Sequence, residues 1–504
     1  MISVLLPDTM RECDRLTVAS GVSSADLVSR AAEELFGVCS CRGESFALFC
    51  GPGNNGADGY ALACLLSDAG KKCVIIASSQ PKTPECIRFS EKCAGRGITV
   101  LPGDAASLPD IEKVDVVIDC IAGNGFSGAP KGCVGALIDL INRSGAYVIC
   151  ADINSGLDPL SGRGPKCVRS DLTAAIGFPK TGHYLNDAKD CIGELVTLDV
   201  GIGLHGAKAV GVIEKRDARA LLAGRKRNSH KGSYGYIAVI GGCSEYSGAA
   251  KIANLGTVAI KSGCGVVKLA VPKRISPWVA PYLLESTLFE LSDNCGSFVF
   301  DKDETDRLLS NVKAAALGMG WGKNENNLKL LSYILSEYAI PLVIDADGLN
   351  ALAGNLSLLD RTKCRVIITP HPAELSRLSG AGVNEILSDP IGHAEKFARE
   401  HHVTILLKGC ASVITDGTDT YISDSGCAGM AVGGSGDLLS GVIAGMLGYC
   451  PASPLTVASA AYINGLAGEI AERRSNPVSM SAGDTAAALP DAISEILNDM
   501  PDNR

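Results

Sequence analysis

Short apolar runs rich in β-branched residues alternate along the chain with longer stretches in which apolar positions recur at helical spacing. Runs of that length predict strands, and their alternation with helical patterns predicts parallel sheets built from β-α-β crossovers. The first block of strands reads as "SFALFC", "KCVIIAS", "DVVIDC", "AYVICAD" and "ELVTLDV", with helical stretches such as "ADGYALACLLSDAG" and "KGCVGALIDLINRSG" between them. Two helices, near residues 8–20 and 23–36, precede the first strand. The pattern breaks at "RDARALLAGRKRNSHKGSYG", a basic, polar stretch without strand character, which marks a domain boundary. It restarts with "YIAVIGG", "GVVKLAVP", "AAALGMG", "PLVIDADG", "RVIITPHP", "TILLKG" and "ASVITD". Apolar helices close the chain: "GDLLSGVIAGMLGY", "LTVASAAYINGLAGEIAERR" and residues 486–500. There is no solenoid-type repeat and no low-complexity tract. The expected fold class is α/β, with two fused domains over residues 1–210 and 220–504.

Composition narrows the function classes. With 504 residues, 46% of them apolar and 20% charged, the chain is globular and long enough for several cores. A formal charge of −9 argues against nucleic acid or an anionic membrane as partner, so an anionic ligand must be held by local devices. Twenty cysteines are scattered, without a CxxC pair or a histidine cluster, which supports neither a zinc site nor a disulfide framework. Many, such as Cys50, Cys64, Cys120 and Cys150, sit inside apolar runs as small hydrophobes, and a reducing cytoplasm is the expected location. The start of the chain lacks the features of a signal or transit peptide, and no apolar run reaches the length of a membrane span.

"CGPGNNGADGYALACLL", residues 50–66, follows a strand and opens a helix, so amides of the loop and helix N-terminus can converge on a phosphate or pyrophosphate. A tight turn needs no ligand, and the spacing is not that of the dinucleotide fingerprint. Two more strand ends strengthen the signal. Asp119 leads into "IAGNGFSG" and Asp152 into "INSGLDPLSG", at the carboxyl ends where open α/β sheets bind ligands. Asn55, Asp119 and Ser155 offer hard oxygens that could hold a cation if they converge. Each aspartate alone reads equally well as a turn former or cap.

"GPGNNGADGYALA", "DCIAGNGFSG", "ADINSGLDPLSG" and "SDLTAAIGFPKTG" resemble, in order, the motifs of the NAD(P)H-hydrate epimerase family, the YjeF N-terminal domain, over roughly residues 1–205. The resemblance implies a Rossmann-like three-layer sandwich that interconverts the R and S forms of NADHX and NADPHX, the nicotinamide cofactors hydrated at C6. It further implies that Asn54, Asn55, Gly56, Ala57 and Asp58, together with Gly123, Asn124, Gly125, Phe126, Ser127, Gly128 and Ala129, contact substrate. Asp152 is implied as the catalytic acid/base, and Asn55, Asp119 and Ser155 as potassium ligands.

In the second block, "GGSGDLLSGVIAGML", residues 433–447, joins a glycine turn to an apolar helix, a source of amide donors for phosphate oxygens. Asp437 stands where it could accept a proton from a substrate hydroxyl, although Ser435 or Asp437 could instead serve as a helix cap. Lys408 and Gly409 fall at a strand end, and His371 lies in a turn between strand and helix. "SHKGSYGYIAVIGG", "YSGAAKIA", "LGMGWG", "VIDADGLNAL", "TPHPAEL", "LKGCASVI" and "GGSGDLLSG" resemble the ribokinase-like superfamily and, within it, the NAD(P)H-hydrate dehydratase family, the YjeF C-terminal domain, over roughly residues 228–470. The family pattern implies substrate contact at Ala249, Gly320, His371 and Asp437. It implies nucleotide contact at Lys408, Gly409, Cys410, Ala411, Ser412 and Gly436, magnesium on the nucleotide, and ADP as donor. Asn464-Gly465 departs from an expected His-Gly pair in the late helix.

Together the resemblances imply a bifunctional repair enzyme acting on NADHX and NADPHX with ADP, and a homo-oligomer is the expected assembly. The rival is a small-molecule kinase of the ribokinase superfamily fused to a noncatalytic ligand-binding module.

Overall fold

The computed structural model describes residues 1–104, 113–126, 128–222, 226–259 and 264–498. The chain forms two compact units, Ser3–Val210 and Met1–Ile2 with Gly211–Arg504. The division thus falls at Val210, ahead of the basic stretch, whose first residues form helix Lys215–Leu221 of the second unit. The α-amino group of Met1 pairs with Glu214 at 2.8 Å and Asp217 at 2.9 Å, which holds the first residues in the second unit.

The first unit carries a seven-stranded, wholly parallel sheet. Its order is Thr99–Pro102, Lys72–Ala77, Ser45–Cys50, Val116–Cys120, Tyr147–Ala151, Ser170–Ile176 and Ile192–Leu198. The chain enters at Ser45–Cys50, winds outward one way for two strands and then returns to wind the other way. The switch point therefore lies between Ser45–Cys50 and Val116–Cys120, where successive loops part and leave a crevice. Strand period decides the layers. Phe46, Leu48 and Cys50 pack with helices Ser24–Cys39, Asn54–Asp68 and Pro84–Gly95, whereas Ala47 and Phe49 pack with Val134–Asn142. This is the expected three-layer arrangement. Strands Thr99–Pro102 and Ser170–Ile176 add to those read from the sequence.

The second unit is built on an eleven-stranded sheet. From one edge it runs Ile2–Val4, Val210–Val212, Thr420–Ser423, Ser412–Thr415, Thr404–Leu407, Arg365–Ile368, Pro341–Ile344, Val312–Leu317, Tyr236–Ile240, Val266–Pro272 and Ser286–Leu291. The strands from Thr404–Leu407 to Ser286–Leu291 are parallel, and Ser412–Thr415 joins them antiparallel. Its switch point separates Tyr236–Ile240 from Val312–Leu317. Ile237, Val239, Ala314, Ala316, Val343 and Leu406 face a core shared with helices Ser247–Ala259, Ser435–Leu447, Pro454–Arg474 and Ala482–Asn498. The alternate residues Ala238, Ala315, Leu342 and Ile405 are fully buried too, as in a sheet covered on both faces. Strands Ser286–Leu291 and Thr420–Ser423 were not evident from apolar runs, and the last helix begins at Ala482, ahead of the expected residue 486.

Among the described residues no helix is long and apolar enough to cross a membrane. All twenty cysteines are free thiols.

Candidate active sites

The loop after Ser45–Cys50 uses much of its glycine for its own packing. A Cβ on Gly51 would stand 1.9 Å from the carbonyl oxygen of Ile121, and one on Gly56 would stand 1.9 Å from that of Gly51. Gly53, by contrast, opens onto space and lines a cavity of about 750 Å³ at the switch point. Asn54, Asn55, Asp58, Gly123, Asn124, Gly125, Phe126 and Asp152 line the same cavity, together with Asp14 and Lys180. Gly56 and Ala57 are turned into the core instead. Gly128 and Ala129 do not line the cavity, and Ser127 lies outside the described residues.

Asp152 is fixed from three sides. Its backbone has φ 67°, a left-handed conformation that aspartate tolerates better than most residues. Oδ2 accepts the Asn124 N–H at 2.9 Å, and Oδ1 accepts a hydrogen bond from the ammonium of Lys180. Lys180 is 1% exposed and also donates to the Ile176 carbonyl at 3.0 Å. Burial alone would raise the Asp152 pKa, but the charge and hydrogen bond of Lys180 outweigh it and hold the carboxyl below its usual range. His183 fixes the pair from beneath. Its Nδ1 accepts the Lys180 N–H at 2.8 Å, which leaves Nε2–H to donate to the Asp152 carbonyl at 2.7 Å. Burial, aided by the Lys180 charge, lowers its pKa to about 4.

The other two carboxyls of the cavity respond in the opposite sense. Burial raises Asp14 to about 6, the nearby Lys180 charge acting against it. Burial and the charges of Asp152 and Asp14 push Asp58 well above the ordinary carboxylate value.

Of the three expected cation ligands, Asp119 and Ser155 are in direct contact. Ser155 Oγ donates to Asp119 Oδ1 at 2.7 Å, and the Ser155 N–H donates to Oδ2 at 2.8 Å. Asp119 also caps its own turn by accepting the Ile121 N–H at 3.1 Å. Asn55 joins them through one residue, since its Nδ2 donates to the Ala122 carbonyl at 2.8 Å and the Ala122 N–H donates to Ser155 Oγ at 2.9 Å. Asn55 Oδ1 is buried without a hydrogen-bond partner. An orphaned hard oxygen beside a buried carboxylate network fits a monovalent cation.

In the second unit the carboxyl ends of adjacent parallel strands present Gly320, Asp345, His371 and Lys408. Lys408 Nζ donates to Asp345 Oδ1 at 2.9 Å and lies 3.8 Å from Glu374 Oε2, while Ser440 Oγ donates to Asp345 Oδ2 at 2.8 Å. Burial opposes the Asp345 charge, but Lys408 and these hydrogen bonds keep its pKa low. Helix Ser435–Leu447 enters here with Gly434 at its N-cap, φ 94°, and no capping side chain. The capping alternative for Ser435 and Asp437 is thus not realised, and Ser435 Oγ is buried without a partner. A Cβ on Gly436 would stand 3.3 Å from Lys408 Nζ, so the uncapped amides of this turn open beside a fixed ammonium group. Burial and the Asp345 charge raise the pKa of Asp437 to about 7, with Lys408 acting against the shift.

The remaining expected residues take simpler places. His371 caps helix Pro372–Ser379, its Nδ1 accepting the N–H groups of Ala373 and Glu374 at 3.1 and 3.3 Å, and leaves its ring half exposed. A Cβ on Gly320 would meet that of Ala249 at 2.8 Å. Lys408, Gly409, Cys410 and Ala411 form the turn before strand Ser412–Thr415. Asn464 is buried, with its Oδ1 unpartnered. Sequence reasoning missed Lys180, Asp14, His183, Asp345 and Ser440, although Lys180, Asp345 and Ser440 lie within motifs singled out there.

Two α/β units, each gathering acidic and lysine side chains at the carboxyl ends of parallel strands, define a two-site enzyme whose second unit has a ribokinase-like fold. A ribokinase-like superfamily protein of Enterococcus faecalis shares that fold, with TM-score 0.50 and 21% identity over 57% of this chain and 96% of that one. Residues 15–182 match the family described as YjeF-related protein N-terminus, and residues 237–491 match the NAD(P)H-hydrate dehydratase family. The bifunctional NAD(P)H-hydrate repair enzyme of Moorella thermoacetica is 32% identical over 88% of this chain and 86% of its own length. That of Escherichia coli is 31% identical over 95% and 91%. The chain belongs to the bifunctional NAD(P)H-hydrate repair enzyme family.

Proposed function

We propose that the first unit epimerises R- and S-NADHX and NADPHX and that the second dehydrates the S form to NADH or NADPH at the expense of ADP. The observation that carries the reading is the second site: a carboxyl with a pKa of about 7, Asp437, in the first turn of an uncapped helix beside the Lys408–Asp345 pair. Such a carboxyl can accept a proton at neutral pH, and the free amides can hold phosphate oxygens. Asp437 takes the proton of the C6 hydroxyl as that oxygen attacks the terminal phosphoryl group of ADP, whose bond to the α-phosphate breaks to release AMP. The C6–O bond of the resulting phosphate ester then breaks, pushed by the ring nitrogen, phosphate leaves, and loss of a proton from C5 restores the reduced nicotinamide. Gly436, the turn of Lys408, Gly409, Cys410 and Ala411, and Ser412 at the start of the next strand hold the nucleotide. Ala249, Gly320 and His371 contact the hydrated ring.

Magnesium travels with the nucleotide in this reading. When bound it neutralises charge on the phosphates. In the first unit Asn55, Asp119 and Ser155 would hold potassium, which would order the loops lining the cavity. Asp152 exchanges protons with the substrate there. The free thiols suit a reducing, cytoplasmic setting, and a homo-oligomer is the assembly proposed.

The test is to mix the chain with separately prepared R and S epimers of hydrated NADH, ADP and magnesium. The S form is expected to regain reduced-nicotinamide absorbance directly and the R form after epimerisation. Accumulation of a stable phosphorylated product would instead identify a small-molecule kinase.

A further inference from the structure

At rest Asp152 has no proton to give. Its Oδ1 is taken by Lys180 and its Oδ2 by the Asn124 amide, so both oxygens already accept hydrogen bonds and the group is anionic. Such a carboxylate takes up a proton from a water or hydroxyl, and until it has done so it has none to give. Epimerisation by departure and return of the C6 hydroxyl needs both operations. The donor must come from elsewhere in the cavity.

Two further carboxyls line it, Asp58 and Asp14. Asp58 is 7% exposed and sits in the first part of helix Asn54–Asp68, where the charge of Lys180 acts to lower its pKa. Asp152 and Asp14 act on it as like charges. We propose that Asp58 is the second catalytic carboxyl of the first unit, protonating the departing hydroxyl while the Lys180-paired Asp152 receives the proton of the returning water. The inference rests on the epimerase reading of this cavity.

The step balances. The Asp58 proton passes to the C6 oxygen, the C6–O bond breaks with its electron pair on oxygen, and water is released. The lone pair of the ring nitrogen forms a double bond to C6. Water then adds to C6 from the opposite face, the double-bond pair returns to nitrogen, and the spare proton goes to Asp152. Transfer of that proton back to Asp58 through cavity water resets the pair, with no oxidant or further reactant. Burial and the charges of Asp152 and Asp14 keep the Asp58 proton in place, so two carboxyls of one cavity are driven to opposite protonation states.

The experiment uses the full chain carrying Asp58→Asn, with the S-specific reaction in excess so that R-epimer consumption reports epimerisation. The amide keeps the size of the side chain and cannot supply a carboxylic proton. The expected result is a fall in kcat for the R form of about 100-fold or more, as for loss of a general acid, with KM within threefold. Dehydration of the S form should be unchanged. Asp58→Glu, which restores a donor, should recover part of the rate, and in both variants a retained unfolding transition of the first unit excludes misfolding. R consumption within threefold of the parent, or a loss confined to KM, overturns the proposal. Failure of the parent chain to epimerise at all would instead overturn the reading on which it rests.

Discussion

The ammonium of Lys408 lies 2.9 Å from the carboxylate of Asp345, itself only 1% exposed. The pair is the electrostatic floor of the second site. Asp345→Ala would leave Lys408 without its main counter-ion, and breaking such a buried pair typically costs about 3–5 kcal/mol. Urea unfolding of the variant is expected to show the second unit destabilised on that scale, with dehydration strongly reduced. An unfolding midpoint equal to that of the parent would show the pair to be energetically idle.

Asp437 carries opposite requirements for rate and stability. As a base it must be ionised, so dehydration should rise with pH around a midpoint near 7. The folded state keeps the Asp437 proton up to that pH whereas the unfolded chain releases it near 4, so this group lowers stability as pH rises through the interval. Asp437→Asn is expected to abolish dehydration, leave epimerisation intact, and raise the melting temperature by a few degrees at pH 8 but not at pH 4. A rate independent of pH between 6 and 8 would remove Asp437 as the base.

The buried imidazole of His183 should remain neutral down to about pH 4. The unfolded chain protonates it near 6.5, so its contribution is complete above that pH and is lost as pH falls towards 4, by up to about 3 kcal/mol. NMR of the ring carbons gives the check. A titration midpoint near 6 would contradict the placement of His183 beneath Asp152.

Asp152→Ala would mix two effects, because it deletes the base and also strands Lys180, which is 1% exposed. Asp152→Asn keeps a hydrogen-bond acceptor for Lys180 and is expected to lower R-epimer consumption by about 100-fold or more while S-epimer dehydration continues. R consumption as fast as in the parent would exclude Asp152.

Potassium exchanged for a bulky organic cation at equal ionic strength is expected to slow epimerisation more than dehydration, since the candidate ligands Asn55, Asp119 and Ser155 all lie in the first unit. Crystals soaked in rubidium provide a second check: an anomalous peak is expected at Asn55 Oδ1.

The sheets were legible because buried parallel strands are continuous apolar runs, as in "SFALFC" and "PLVIDADG". Ser170–Ile176 escaped because Ser170, Asp171 and Thr173 break its apolar run, and Thr99–Pro102 and Ser286–Leu291 escaped because edge strands are only partly covered. Aspartates at strand ends were legible as candidates. Their states were not, because these depend on partners remote in sequence: Lys180 is 28 residues from Asp152, and Lys408 is 63 from Asp345. Nothing in a one-dimensional pattern reveals that a lysine is buried. The glycines of residues 51–59 illustrate the converse, since Gly51 and Gly56 suggested a ligand and serve mainly to let backbones touch.

The winding of the first sheet has a consequence for how the protein comes into being. Strand Ser45–Cys50 leaves the ribosome early, but its central neighbour Val116–Cys120 follows only after two outer strands, and Lys180 comes later still. Until then the emerging Asp152 has no counter-ion and the cavity no floor. A chain released before residue 180 would hold three carboxyls of the site and none of its balance. Truncated translation products should therefore be inert and short-lived, while the second unit, with a sheet of its own, can mature on its own schedule.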